Sequence, residues 1–254
     1  DLHLSLRRQR QMCIRDSGRP ERVDVVVSEI VGAVATEEGL RVALRDAAAR
    51  FAKRPADPRS WIPATVSTLA APAVYAPHAL TPDLDWRRVA AAAPMRCSCR
   101  DRALKLLAAP QTLEVVDCAR LLDDAAPRGW LRGPEAAWTV DAGRVEAAAR
   151  ELEPALAPGG FLAPFAGGAP AATVAARVAR TCSGVAMWPA LRLSDDVAVR
   201  ARGPGGEPRR SSWQTVVALA PAARPASRVR CRLDAAAAAR VDELPRYRLR
   251  QAWD

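Results

Sequence analysis

Histidine, lysine and aromatic residues are all scarce in this chain. There are two histidines in 254 residues, with three phenylalanines and two tyrosines, and aromatic side chains make up 5% of the total. Lysine stands only at positions 53 and 105 although Lys and Arg together number 38. One histidine, His3, lies in a segment set aside below, so a Ser–His–Asp or Cys–His catalytic group would have to use His78. Its setting, Ala76-Pro77-His78, reads as a Pro-flanked loop in which the imidazole is solvated or structural. The same shortage leaves Cys97-x-Cys99 without a second pair or a histidine at zinc spacing, and no metal site is expected. Cys97, Cys99, Cys118, Cys182 and Cys231 are odd in number and accompany no signal peptide. They read as reduced thiols of an intracellular protein, cytoplasmic or nuclear. No apolar run approaches the length of a membrane span, so a membrane is not an expected partner.

Arginine and alanine are abundant instead, and the formal net charge is +10. So much Arg with so little Lys looks like GC-rich coding bias. A nucleic-acid footprint needs its arginines on one face. Here they read as scattered, apart from Arg209-Arg210 and the tail from Arg224 to Arg250, and nucleic acid is not an expected partner.

Residues 1–17, DLHLSLRRQRQMCIRDS, read as translated sequencing adapter. Met12 to Ser17 translate back to the end of a library-preparation transposon, Arg7 to Gln11 fit the bases upstream of it, and Asp1-Leu2-His3 fit a flow-cell primer. Such a segment is excluded from fold reasoning. On this reading the natural sequence opens near Gly18, inside a fold, and its net charge is +8 because four Arg and two Asp go with the adapter.

The chain is organised around residues 23–51. Val23 to Val27 is an apolar run bounded by charge and reads as a buried strand. It ends in Ser28-Glu29, and a turn with Gly32 follows. A helix is expected to open at Thr36 as N-cap, with Glu37 and Glu38 in its first turn. Leu40, Ala43, Leu44, Ala47, Ala48 and Phe51 would form its apolar face. Glu29 and Glu38, nine apart, thus sit at a strand's carboxyl end and a helix's start, where open α/β sheets place ligands.

Further on, Trp61 to Leu69 reads as a strand with Pro63 at a bend, and Ala70-Ala71-Pro72 closes the first unit. Short strand-like pieces follow at 104–107, 112–116, 173–178, 185–193, 213–219 and 228–233, separated by Pro and Gly as in a sandwich or barrel. Helix candidates are 90–93, 145–156 and 235–239. The expected organisation is an α/β remnant at 18–70 followed by a β-rich domain at 71–254.

SEIVGAVATEE resembles the double-glutamate loop of the protein arginine methyltransferases: a strand ending in Ser-Glu, a Gly three after the Glu, and a second Glu nine after the first. The matching residues are Ser28, Glu29, Gly32 and Glu38. FAKRPADPRSWIPATVSTLAAP resembles the segment that joins the family's cofactor domain to its barrel. LLAAPQTLEVVD, GVAMWPALRL and RRSSWQTVVAL look like barrel pieces in the same order. Trp213 falls at the Trp of a Thr-His-Trp loop that walls the substrate pocket, and Ser212 at its His, as in the symmetric-dimethylating branch. The resemblance spans residues 23 to about 233. It departs at 120–170, which is longer and richer in Ala and Gly. The dimerisation arm has no clear counterpart, so a homodimer is left open. The Gly-rich cofactor loop and the acidic ribose-binding residue that precede the double-glutamate loop have none either.

The resemblance implies the C-terminal remnant of a Rossmann-like methyltransferase domain at 18–70 and a β-barrel substrate-binding domain at 71–254. It implies methyl transfer from S-adenosylmethionine to a guanidinium nitrogen of an arginine-containing protein substrate. Glu29 and Glu38 would be the catalytic clamp, Ser212 and Trp213 would wall the pocket, and Ser28 would touch the cofactor. Glu37 is the wrong-register alternative to Glu38. Without the cofactor loop the chain as given is expected to bind S-adenosylmethionine poorly and to be inactive. Two other readings are a non-catalytic family member whose barrel is a protein-interaction module and an unrelated Arg-rich binding protein.

Overall fold

In a computed structural model the structure is described for residues 22–92, 94–121, 130–236 and 246–254. The adapter-like residues 1–17, and 237–239 of the last helix candidate, lie outside them. Strand β1 (Val26–Val27) lies parallel to β2 (Trp61–Ile62), Val26 opposite Trp61 and Val27 opposite Ile62. Val23 bridges Ala52 beside them. The run 23–27 is not buried as the apolar pattern predicts. Val23, Val25 and Val27 are 43%, 45% and 72% exposed, because among the described residues β2 is the one strand paired with β1, whereas parallel sheets are ordinarily covered on both faces.

Helix α1 (Leu40–Arg50) buries Leu40, Leu44 and Ala48 against Trp61, Val66, Val116 and Leu121. It starts three residues later than expected. Gly39, at φ +86°, leads into it, and no acidic residue lies in its first turn. Thr36 is no cap: its hydroxyl is engaged elsewhere, and Gly39 supplies the left-handed turn that side chains resist. Trp61 is fully buried, its indole N–H donating to the Pro55 carbonyl at 2.8 Å.

After Pro63 every strand pairing is antiparallel. The centre is β3 (Thr65–Tyr75), hydrogen-bonded to β8 (Thr181–Arg192) from Thr65–Arg192 to Ala73–Gly184. The expected division after residue 70 falls within this strand. On its other side β3 carries β6 (Gln111–Asp117) and then β5 (Leu104–Leu106). Beyond β8 lie β10 (Gln214–Pro225) and β4 (Met95–Ser98), with β9 (Ala198–Arg200) on the end of β8. A second sheet orders β12 (Arg246–Trp253), β11 (Arg228–Ala236) and β7 (Trp130–Thr139). Both sheets contribute to one core, with Val74, Leu113, Val185 and Val216 from the first and Trp138, Val229 and Leu233 from the second. The result is a mixed α/β fold with a curled, half-barrel sheet.

The stretch at 120–170 that looked irregular leads into a helical pair. Helix α4 (Ala142–Leu156), capped by Asp141, which accepts from the Arg144 N–H at 2.9 Å, lies against α5 (Ala171–Ala179). Leu152, Leu156, Val174 and Val178 close over the barrel core. The strand expected at 173–178 is therefore helical: Val174 and Val178 lie four apart and share the buried face. His78 lies in a helix and not in the expected loop, and of its two readings, solvated or structural, the structural one fits. The residue sits in the short helix α2 (Ala76–Leu80), is buried, and meets Trp86 of α3 (Trp86–Ala92) edge-on at 4.8 Å. Neither ring nitrogen has a hydrogen-bond partner among the described residues, and burial lowers its pKa from the ordinary 6.5. Ala235 and Ala236, the first two of the five residues of the last helix candidate, end strand β11. The five described cysteines are free and buried, and burial pushes the thiols of Cys97, Cys118, Cys182 and Cys231 up to about 12. Among the described residues no helix is long and apolar enough to cross a membrane.

Candidate functional site

The loop between β1 and α1 holds both candidate carboxylates and is fastened to the barrel along its length. Residues 31–36 are buried, while Glu29 and Glu38, at its two ends, are exposed. The Ser28 N–H donates to the Ile62 carbonyl at 2.8 Å and continues the β1–β2 pairing for one residue. Glu29 then points out of the strand end, with no hydrogen-bond or ionic partner for its carboxylate among the described residues.

Glu37 folds back under the loop. Its Oε1 accepts from the Ala33 N–H at 2.7 Å, and a Cβ at Gly32 would collide with its side chain, so the close approach requires glycine. The outer side of the same carboxylate takes a two-pronged pair from Arg96 of β4, at 3.1 and 2.7 Å. The hydrogen bond it donates to Glu37 holds the Arg96 guanidinium above its ordinary pKa, and the charges of Glu37 and then Glu38 add to the effect. Glu37 is thus committed to structure, while Glu38 stands at the surface within the field of Arg96.

A buried polar cluster anchors the next residues. The Thr68 hydroxyl accepts from the Ala35 N–H at 3.0 Å and donates to Glu114 Oε2 at 3.0 Å. The Thr36 hydroxyl donates to Glu114 Oε1 at 2.7 Å and lies 2.5 Å from the Tyr247 hydroxyl. Since Thr36 has a single proton to give, Tyr247 is the donor in the second contact. Arg41 approaches Glu114 at 3.4 Å. Burial pushes the Tyr247 phenol far above its ordinary pKa, and the Glu114 charge adds to this.

Trp213 reaches the loop from the other side. Its indole N–H donates to the Val31 carbonyl at 2.7 Å, across 182 positions of sequence, and its ring packs at the edge of the α1 core. Its own carbonyl accepts from the Cys99 thiol at 3.2 Å. Of the residues singled out in the sequence, the structure therefore brings Trp213 to the loop that carries Glu29 and Glu38. Ser212 is exposed and makes no hydrogen bond among the described residues. The Ser28 hydroxyl is buried without a partner among the described residues. Arg96, Glu114, Thr68 and Tyr247 were not legible in the sequence as parts of this site, since no local motif announces a partner 59, 78 or 211 positions away. Among the described residues no group of three or more His, Cys, Asp or Glu side chains could hold a metal ion.

No protein-family profile and no curated protein matches the sequence. Solved structures do match the fold. A crystal structure of PRMT6 aligns with 91% of this chain and 68% of its own, at TM-score 0.57 and 14% identity, and a crystal structure of PRMT6-SAH gives the same values. Arabidopsis thaliana protein arginine methyltransferase 10, in an open conformation, aligns with 87% of this chain and 62% of its own, at TM-score 0.50 and 12% identity. At such identities the likeness is one of fold. The chain has the mixed α/β, half-barrel architecture seen in those structures.

Proposed function

We propose that this chain forms the guanidinium-holding part of an S-adenosylmethionine-dependent protein arginine N-methyltransferase, acting on an arginine-containing protein. The observation that carries this reading is the 2.7 Å hydrogen bond from Trp213 to Val31, which joins the expected pocket wall to the expected clamp loop across the barrel. A guanidinium is planar and presents five donors in a fixed fork, and a carboxylate accepts two of them side by side. Glu29 and Glu38 would hold its two flanks, concentrating the positive charge on the nitrogens they bind and leaving one terminal nitrogen more nucleophilic. Glu37, occupied by Arg96 and Ala33, is the poorer second partner. Trp213 and Ser212 would bound the pocket, and Ser28 would face the methyl donor. The described residues do not by themselves fit S-adenosylmethionine. The buried Ser28 hydroxyl is one polar atom, and no glycine-rich loop follows β1 to offer its N–H groups.

A second reading, binding without catalysis, draws on Arg96, whose guanidinium already rests against the loop. Calorimetry with an arginine peptide and its lysine counterpart tests the clamp on the chain itself. Preference for arginine, weakened about tenfold by Glu29→Gln at unchanged stability, is the expected result. Equal binding of both peptides would remove the clamp. Methyl transfer, measured in a protein that carries this chain together with a cofactor-binding segment, then separates the enzyme from the binding module.

A further inference from the structure

The arginines of the tail, scattered when read along the sequence, are collected by the second sheet onto one face. In an antiparallel strand alternate residues share a face, and the register of β11 with β12 brings their arginines into line. Arg228, Arg230 and Arg232 on β11 share this face with Arg246, Arg248 and Arg250 on β12: Arg232 lies directly opposite Arg250, while Arg230 faces Ala252, Arg248 faces Asp234 and Arg246 faces Ala236, so the arginines run the length of the face. Arg132 joins them from β7, opposite Asp234. The intervening residues Val229, Cys231 and Leu233 point into the core, so the arginine face is the outward one. It carries seven guanidinium groups against three carboxylates, Glu135, Asp234 and Asp254, a surplus of four positive side-chain charges. Asp234 sits within the cluster, taking Arg232 at 2.8 Å and Arg250 at 3.3 Å. Arg230 has only the 3.8 Å approach of Asp254, and Arg228 and Arg246 are exposed without a carboxylate in ion-pair range among the described residues.

We infer that this face docks the phosphate backbone of double-stranded nucleic acid, without regard to its sequence. Three features select this occupant. The cations are all arginines, whose forks match phosphate oxygens two at a time. Along each strand they recur at a step of about 6.6 Å, on a scale that lets neighbouring guanidiniums meet neighbouring phosphates. No exposed large hydrophobic residue of the described set lies on β7, β11 or β12. The face thus offers no apolar anchor for a protein partner and no wedge for a membrane. Among the residues whose side chains are described, it carries no exposed aromatic platform of the kind on which single-stranded bases stack.

The test is fluorescence anisotropy with two labelled 20-base-pair DNA duplexes of unrelated sequence, titrated between 50 and 200 mM NaCl. The wild-type chain should bind both alike and lose about 40-fold or more in affinity over that range, the dependence of some three phosphate contacts. Arg228→Gln/Arg230→Gln/Arg246→Gln leaves Arg232 and Arg250 on Asp234, so its circular dichroism should be unchanged. It should bind at least tenfold more weakly at 50 mM and shed about 2.7 from the log–log salt slope. Arg209→Gln/Arg210→Gln, which removes two charges elsewhere, should stay within twofold of wild type. Equal loss in that control would overturn the inference in favour of diffuse charge, and no binding at 50 mM would overturn it outright. Competition by polyglutamate, by a single-stranded oligonucleotide or by phosphatidylserine vesicles as effective as that by unlabelled duplex would assign the face to another polyanion. The readout does not involve Glu29, Glu38 or methyl transfer, so this inference and the proposed function stand or fall separately.

Discussion

The parallel pair β1–β2 and the antiparallel body that follows Pro63 solve the problem of an apolar strand in opposite ways. In the body, β3 and β8 each have partners on both sides, bury most of their residues and leave none exposed. In the pair, two residues of each strand meet, and Val25, Val27 and Ile62 face outward. What fixes the pair is not a sheet. Helix α1 covers one side through Leu40 and Leu44, and the loop beyond β1 is tied to the body by Trp213, Arg96 and the Glu114 cluster. A strand too poorly paired to hold itself is held by side chains that arrive from elsewhere in the chain.

Substitutions of decreasing effect should sharpen this contrast. Trp188→Ala, in the middle of β8, removes a fully buried ring that also lies 5.6 Å from the buried Arg202 guanidinium. A loss of about 3–5 kcal/mol in urea unfolding is expected. Glu114→Ala leaves the Thr36 and Thr68 hydroxyls and Arg41 without their shared acceptor. The expected cost is about 2–3 kcal/mol, with faster amide exchange at Ala35 and Thr36. Trp213→Phe keeps the ring but deletes one hydrogen bond, for about 1 kcal/mol, and the exchange gain should be confined to the loop. Val27→Thr, on the exposed strand, should stay within about 0.5 kcal/mol. A cost at Val27 equal to that at Trp188 would mean that the two regions are not distinguished by burial.

Acid offers a graded test of the body alone. The buried His78 imidazole has its pKa lowered by desolvation, so the folded state resists the proton that the unfolded chain accepts near 6.5. Stability should therefore be complete above that pH and decline as pH falls below it toward the lowered folded value. His78→Leu should flatten this decline in melting temperatures measured from pH 8 to pH 5. An unchanged slope would assign the acid sensitivity to other groups.

How much of this was legible in the sequence depended on whether the determining partner was local. Strands β5, β6, β8, β10 and β11 were readable from short apolar runs between Pro and Gly, and α4 from its helical run between Gly143 and Pro158. Helix α5 was misread because a six-residue window containing Val174 and Val178 satisfies a strand as well as a helix. Thr36 was misread because a hydroxyl before two glutamates looks like a cap, while its real partners stand 78 and 211 positions away. At the site, the Glu29–Glu38 spacing and Trp213 were visible through the family resemblance. Arg96 was not, since an arginine at one strand position carries no sign of the carboxylate it will meet. The basic face was hidden for a related reason: facing arginines depend on strand register, and a linear count cannot supply it.

The contact between Thr36 and Tyr247 also bears on the timing of synthesis. A ribosome adding about 5–20 residues per second would complete Tyr247 roughly 10 to 40 s after Thr36. For that interval the loop bearing Glu29 and Glu38 would be in water without its final anchor, and Glu114 would have taken Thr36 and Thr68 before the phenol arrived. A nascent chain arrested before β12 should therefore show this loop open to protease while β3 and β6 are already paired. Strand β12 would then be the element that locks this loop shut.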